Sequence, residues 1–444
     1  MSQSSTPAAS DAIYDASSLG RPRMFLLGLQ HLFAMFGATV LVPVLTGLSV
    51  SATLLFAGLG TLLFHFLSRG KVPAFLGSSF AFIAGYAAIA PNGETELLPY
   101  ACLGVACAGL LYPVLAALFR AFGAKRVMRF FPPVVTGPIV ISIGLILASS
   151  AIANCQTNWL VAVIGVAVIV ICNIWGRGMV KIVPILLGVV VSYAVAAALG
   201  EVDFSGVAAA PWVGLPIVWD NTVFALFGPQ FDNGLATTAI ITIMPLAFAT
   251  MIEHIGDISA IGSTCERNYI ADPGLHRTLL GDGLATMVAG LFGGPANTTY
   301  SENTAVLAAT GNYNPVTLRV AALVAIVVSF FGKAIGVIET VPNCVLGGAC
   351  IVLYGMIASV GLRTLVSHQV DFTKNRNMCI AAVMLVLSMG GAVIGGKDFS
   401  FSGIGLGIIA GIILNLILPE AKKQKHGEGI VPPSSADVIP DTEE

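Results

Sequence analysis

Residues 295–304 read PANTTYSENT, and the run from Asn297 to Thr304 is an unbroken series of hydrogen-bonding side chains set between apolar stretches. It is too polar for a helix that faces lipid. An earlier stretch has the same character: Pro73-Ala74 precedes Ser78-Ser79-Phe80, as Pro295-Ala296 precedes Thr298-Thr299-Tyr300. Short, polar, Pro/Gly-interrupted segments in corresponding positions of two halves predict an inverted repeat, with a ligand site at the midplane between broken helices.

The rest of the chain supplies the membrane that this reading needs. Of 444 residues, 56% are hydrophobic and only 10% charged, and the mean hydropathy is +0.89. A soluble domain carries about 25% charged residues, so the solvent for this surface is a bilayer. The net charge of −2 points to no partner. A spanning helix needs about 20 apolar residues. Twelve runs qualify as cores: Met24–Thr46, Ala52–Leu67, Ala101–Leu118, Phe131–Ala148, Trp159–Trp175, Ile182–Leu199, Ala239–Ile261, Leu279–Phe292, Val320–Phe331, Val345–Val360, Met378–Ile394 and Ile404–Leu418. With the interrupted runs Pro73–Ala90 and Pro295–Thr310, the expected fold is an all-α polytopic membrane protein of fourteen segments in a 7+7 arrangement.

Charge distribution orients it. With the N-terminus in the cytoplasm, Arg21, Arg23, Arg69, Lys71, Arg120, Lys125, Arg126, Arg129, Arg177, Lys181, Arg267, Arg277, Arg319, Arg363, Lys374, Arg376 and the C-terminal lysines fall inside. Only Lys333 and Lys397 fall outside. Both termini are then cytoplasmic, and residues 201–236 form an extracytoplasmic loop. The Ser/Ala-rich start (1–22) and the stretch 421–444 read as disordered tails, and no cleavable signal peptide is expected.

Acidic residues are absent from the first seven of the fourteen segments; Glu253, Asp257, Asp282 and Glu302 lie in later ones. A charged side chain at the bilayer centre costs roughly 2.5–3.5 kcal/mol on insertion scales, so such residues face polar interiors and mark function. Glu253 and Asp257, four apart, share a helix face. Two neighbouring carboxylates in a low dielectric rarely ionise together, which makes the pair a proton site without a metal. Beside a broken helix, the Glu302 carboxylate accepts ligand N–H groups while free backbone N–H groups donate to a carbonyl, a pattern that suits a planar imide or lactam. His31 is expected to organise the site rather than bind. His254 points about 100° away from Glu253. Asp282, in Gly281-Asp282-Gly283, is expected near a helix start with a structural role. There is no HExxH and no CxxC, and the eight cysteines are scattered through apolar runs; neither a metal nor a disulfide framework is expected.

Several long motifs resemble the nucleobase–ascorbate transporter (nucleobase:cation symporter-2) family, and within it the bacterial uracil permeases. They are Gln30-His31-Leu32-Phe33-Ala34-Met35-Phe36-Gly37-Ala38-Thr39, Gly77-Ser78-Ser79-Phe80-Ala81-Phe82, Glu253-His254-Ile255-Gly256, Asp272-Pro273-Gly274-Leu275-His276-Arg277 and Asn297-Thr298-Thr299-Tyr300. The resemblance covers nearly the whole chain. It implies a core domain (23–120 and 237–338) and a gate domain (121–200 and 339–420), with segments 3 and 10 each a short strand followed by a half-helix. It implies that Glu253, Glu302 and the backbone at Phe80 and Ser301 bind the base. His31 would support Glu302, and Ser79, Tyr300 and Asn303 would support the site. A coupling proton would be shared by Asp257, Glu253 and His31.

The expected activity is proton-coupled uracil import across a bacterial-type cytoplasmic membrane by alternating access. The expected protein is a homodimer with no cofactor besides the proton, no nucleic-acid partner and no enzymatic step. A xanthine or other purine permease is the alternative, followed by an anion transporter of the same fold, which would want a positive or neutral site. The chain departs from the pattern at Asp257 (a histidine in some uracil permeases), Ser301 and Ala305 (usually Gly), Gly311 (often Arg) and Asn343-Cys344 (more usually Pro-Val). Added bulk at Ser301 beside the base bears on substrate preference.

Overall fold

A computed structural model describes residues 13–15, 20–123, 127, 132–227, 231–392, 394–395, 400–401 and 403–419. Lys125, Arg126, Arg129, Lys397, the expected tail 421–444 and most of 1–22 lie outside the described residues. In chain order the principal elements are α1 (Arg21–Thr46), α2 (Val50–Leu67), β1 (Leu76–Ser78), α3 (Ile83–Ile89), α4 (Leu98–Phe122), α5 (Pro133–Ile146), α6 (Ala148–Cys155), α7 (Trp159–Trp175) and α8 (Pro184–Ala198). The second half contains α9 (Asn233–Ile243), α10 (Leu246–Thr264), α11 (Leu275–Leu291), β2 (Asn297–Thr299), α12 (Ser301–Thr310), α13 (Pro315–Ser329), α14 (Gly332–Glu339), α15 (Asn343–Ser367), α16 (Asn375–Met389) and α17 (Gly403–Ile417).

Each of the expected apolar runs carries a helix. Among the described residues, six helical spans are long and apolar enough to cross a membrane by themselves, and five further apolar helices are shorter. The differences from the sequence expectation have local causes. The eighth run starts earlier, at Asn233, because Asp232 caps α9 by accepting from Leu235 N; Pro245 then separates α9 from α10. The eleventh run bends by 84° between α13 and α14. Exposed apolar side chains such as Phe66 (80%) and Val386 (71%) fit a lipid-facing surface.

The helices fall into two packing groups. α4 packs on α11 and α9, and α2 on α11 and α13, with α1 beside α13. Separately, α15 packs on α5, α6 and α7, while α7 pairs with α8 and α16 with α17. Close approach in the first group depends on small residues. A Cβ added to Gly109 of α4 would sit 2.6 Å from the Met287 nitrogen of α11, and one on Gly283 would collide with Tyr112.

β1 and β2 join the halves of the chain as an antiparallel pair, with Leu76 opposite Thr299, Gly77 opposite Thr298 and Ser78 opposite Asn297. All six residues are buried. Ser79 N→Ala296 O (2.8 Å) and Tyr300 N→Phe75 O (3.0 Å) extend the ladder. Each outer edge is closed by one threonine. Thr61 Oγ1 of α2 accepts from Leu76 N (2.9 Å) and donates to Leu76 O (3.3 Å). Thr286 Oγ1 of α11 accepts from Asn297 N (3.2 Å) and donates to Asn297 O (2.9 Å).

Within the stretch expected to be an N-terminal tail, Ile13–Asp15 are held against the protein. Ile13 bonds Gly311 O and Tyr313 N (both 2.9 Å). Tyr14 OH donates to Cys265 O (3.1 Å), and Arg267 lies over its ring. This strap ties the end of α12 to the end of α10.

Thr61→Val and Thr286→Val keep side-chain shape but leave two backbone groups unpartnered. Each should cost about 1–3 kcal/mol, read as a lower denaturation midpoint of the purified protein in detergent. Thr→Ser at either position should recover most of it.

Candidate functional site

The ladder determines where the short helices begin. After β1 the chain turns at Phe80–Phe82 into α3; after β2 it enters α12 at Ser301. The two helices start at opposite ends of the ladder and run apart. The first N–H groups of a helix have no partner within it, so both starts present donors at the middle of the molecule. Ser79 is fully buried just before the first start, and its Oγ has no hydrogen-bond partner among the described residues. Phe80 is half-buried.

Tyr300 acts as a clamp behind the second start. Its buried hydroxyl donates to Ser78 O (2.7 Å) and accepts from Thr39 Oγ1 of α1 (3.3 Å). Its ring covers Gly77, where an added Cβ would come within 2.5 Å. Only glycine fits between this ring and α1.

Ser301 and Ala305 are exposed and Glu302 half-buried on the open side of α12. They border a cavity of about 230 Å³, lined also by Ala34, Gly37 and Ala38 of α1 and by Asn173, Lys181 and Met356 from the other packing group. Glu253 is exposed on α10, which packs against α12 and β2. One turn on, a Cβ added to Gly256 would meet nothing within 4 Å, so α10 fronts open space here. Glu253 and Asp257 lie four residues apart on α10, and Glu302 lies in the first turn of α12, which α10 contacts. Neither Glu253 nor Glu302 bonds another side chain among the described residues. Asp257, half-buried, accepts from Thr299 Oγ1 at 2.8 Å. The expected acids thus come together, with Asp257 anchored to the ladder.

His31 is fully buried on α1, and its partner is Asn303 rather than Glu302. Asn303 Nδ2 donates to His31 O (3.0 Å) and lies 3.2 Å from His31 Nδ1. His31 Nε2 and Asn303 Oδ1 are buried without partners among the described residues. His31 therefore reaches Glu302 through the neighbouring residue of the same helix turn.

The fourth acid belongs elsewhere. Asp282 lies two turns into α11, fully buried, with its Oδ2 3.2 Å from Nδ1 of an equally buried His254. The contact has ion-pair distance but not hydrogen-bond alignment. Phe64 meets His254 edge-on at 6.1 Å. Sequence reasoning turned His254 away from Glu253 but did not match it with Asp282, because nothing in the spacing links two helices. It also missed Thr299, Thr61 and Thr286, which look like ordinary polar residues until the ladder forms. Among the described residues no group of three His, Cys, Asp or Glu could hold a metal ion.

Comparison with known proteins shows the family and the fold. The sequence model of a family described as "Permease family" matches residues 22–395. The uracil permease of Bacillus caldolyticus is 42% identical over 417 residues, spanning 92% of this chain and 94% of that protein. The uracil permease of Bacillus subtilis (strain 168) is 40% identical over 414 residues, spanning 89% and 93%. Among solved structures, the transmembrane domain of a cyanobacterium bicarbonate transporter, BicA, matches with a TM-score of 0.59 at 15% identity, over 91% of this chain and 99% of that one. That likeness is one of fold.

Removing one member of a buried polar pair leaves the other unsatisfied, at a cost of about 1–3 kcal/mol, whereas replacing both by apolar groups can be nearly neutral. Asp282→Leu and His254→Leu should each lower stability by about that amount. The double replacement should cost less than either single one, measured by unfolding in mixed detergent micelles.

Proposed function

The chain belongs to the permease family, and from that premise we propose that it imports uracil together with a proton. It is a multi-pass membrane protein of a family of permeases, not of enzymes. The observation that carries the reading is the free pair Glu253 and Glu302, set beside two helix starts that issue from one buried ladder. Uracil alternates N–H and C=O groups around one ring edge. The two carboxyls accept its N–H groups, and the backbone N–H groups at Phe80 and Ser301 donate to its carbonyls. Ser301 lines the cavity. At about 230 Å³ that cavity lies just below the usual ligand range of ~300–1,000 Å³ and suits a single-ring base. Two carboxyls that accept N–H groups suit a neutral ligand with ring N–H donors better than chloride or bicarbonate, which have no such edge to offer.

The coupling proton is held among Glu253, Asp257 and His31. The Thr299 hydroxyl fixes one oxygen of Asp257 and leaves the other to take or release the proton. Uracil is neutral, so one proton brings in one charge. That gains about 2.3 kcal/mol per 100 mV, enough for a roughly 50-fold gradient.

In this reading fourteen segments cross the bilayer as an inverted repeat, with both termini cytoplasmic. The core (23–120 and 237–338) moves against the gate (121–200 and 339–420) within a homodimer. The capping of both ladder edges by Thr61 and Thr286, from the segment before each strand, supports the two-fold relation.

Proteoliposomes holding the protein should accumulate labelled uracil faster under an inward proton gradient than without one; equal rates would remove the coupling. Glu302→Gln and Glu253→Gln should each weaken uracil binding roughly 100-fold, as expected for loss of a charged acceptor. Unlabelled xanthine should compete poorly; strong competition would redirect the assignment to purines.

A further inference from the structure

Among the described residues that line the cavity of about 230 Å³ beside α12, two are ionisable, and they have opposite sign. Glu302 comes from the start of α12. Lys181 comes from the other packing group, on the single helical turn Met179–Ile182 between α7 and α8. Gly178, just before that turn, has a φ of +57°, a conformation that favours glycine. The turn packs against α12, and α8 packs against α1. A Cβ added to Gly37 of α1 would lie 3.3 Å from the Leu186 nitrogen of α8. The two packing groups therefore meet at the walls of this cavity, and each brings one charge to it.

Lys181 is exposed, and its side chain bonds no other group among the described residues. An ammonium carries three donors and no acceptor, whereas an ionised carboxyl only accepts. The N–H groups of a base and the ammonium of Lys181 thus seek the same Glu302 oxygens. Lysine places its charge on a flexible four-carbon stem. Ile182, Leu186 and Met356 make the wall around it largely apolar, which strengthens attraction between opposite charges. The other ionisable groups near Glu302 are held elsewhere. Glu253 and Asp257 on α10 do not line the cavity, Asp257 accepts from Thr299, and His31 meets Asn303.

We propose that Lys181 is a positioning residue that pairs with Glu302 when no base is bound and so latches the two packing groups together. The proposal rests on the reading of Glu302 as a substrate carboxyl. A base releases the latch by giving Glu302 its own N–H. In this structure the two side chains stand unpaired on the cavity walls; narrowing of the cavity brings them together. On the orientation given above, Lys181 lies toward the cytoplasm, so the latch forms as the base departs on that side. The empty carrier is then held closed at this cavity, and the loaded one is free to move.

The test uses the full-length protein in detergent micelles, first without uracil. Lys181→Met should lower the thermal midpoint, and the lowering should disappear when Glu302→Gln is already present, because the partner is gone. Lys181→Arg should keep the wild-type midpoint. An equal lowering in both backgrounds, or none in either, overturns the latch. Uracil binding is then measured by calorimetry. Lys181→Met should bind uracil roughly fivefold more tightly than the wild type, since a competitor for Glu302 has gone, and Lys181→Arg should bind as the wild type does. A merely structural loss would weaken binding, so weaker or unchanged affinity in Lys181→Met overturns the proposal. A wild type that binds no uracil defeats the uracil reading instead, while the midpoint comparison still decides the pair.

Discussion

Backbone that is neither helical nor part of a closed barrel has no place in a bilayer unless every N–H and C=O finds a partner inside the protein. The rest of this structure follows from how that demand is met at β1 and β2. Three residues on each side pair with each other, and single hydroxyls, Thr61 on one edge and Thr286 on the other, close what remains. The helices that carry these threonines must then lie against the ladder. α2 and α11 do so and also pack on each other. Tyr300 secures the third side through Ser78 and Thr39. The result is a rigid polar layer from which α3 and α12 depart, so the donors at their starts keep fixed positions relative to Glu253 and Glu302.

α10 divides its ionisable residues between two environments. Glu253 and Asp257 lie toward open space and the start of α12. His254, one residue on, is fully enclosed with Asp282. The wet face can exchange protons and ligands, whereas the dry face holds α10 to α11. One helix therefore carries both the candidate chemistry and its own anchor.

The apolar runs, their polar interruptions and the acids Glu253, Asp257 and Glu302 were legible because each breaks a strong local pattern: charge in a hydrophobic stretch, or Pro/Gly beside Ser and Thr. A helix period also turned His254 away from Glu253. What could not be read was which residue of one helix meets which residue of another. Asp282 looked like a residue near a helix start until His254 stood opposite it, and His31 was expected to serve Glu302 but bonds Asn303. Thr61 and Thr286 carry no local signal, because a lone threonine in an apolar helix usually bonds its own preceding carbonyl. Ile13–Asp15 lay in a stretch whose composition suggested no order; their bonds to Gly311, Tyr313 and Cys265 depend on a surface made far later in the chain, 251 residues on in the case of Cys265.

The ladder also has a bearing on synthesis. Ser78 and the Tyr300 hydroxyl that caps its carbonyl are 222 residues apart. At about 5–20 residues per second, β1 leaves the ribosome on the order of 10–40 s before its partner exists. During that interval the backbone of Leu76–Ser78 cannot rest in hydrocarbon as a strand. Until then its N–H and C=O groups are partnered by water, by the insertion machinery or within a transient helix. Assembly of this permease is ordered by the shortest pair of elements it contains.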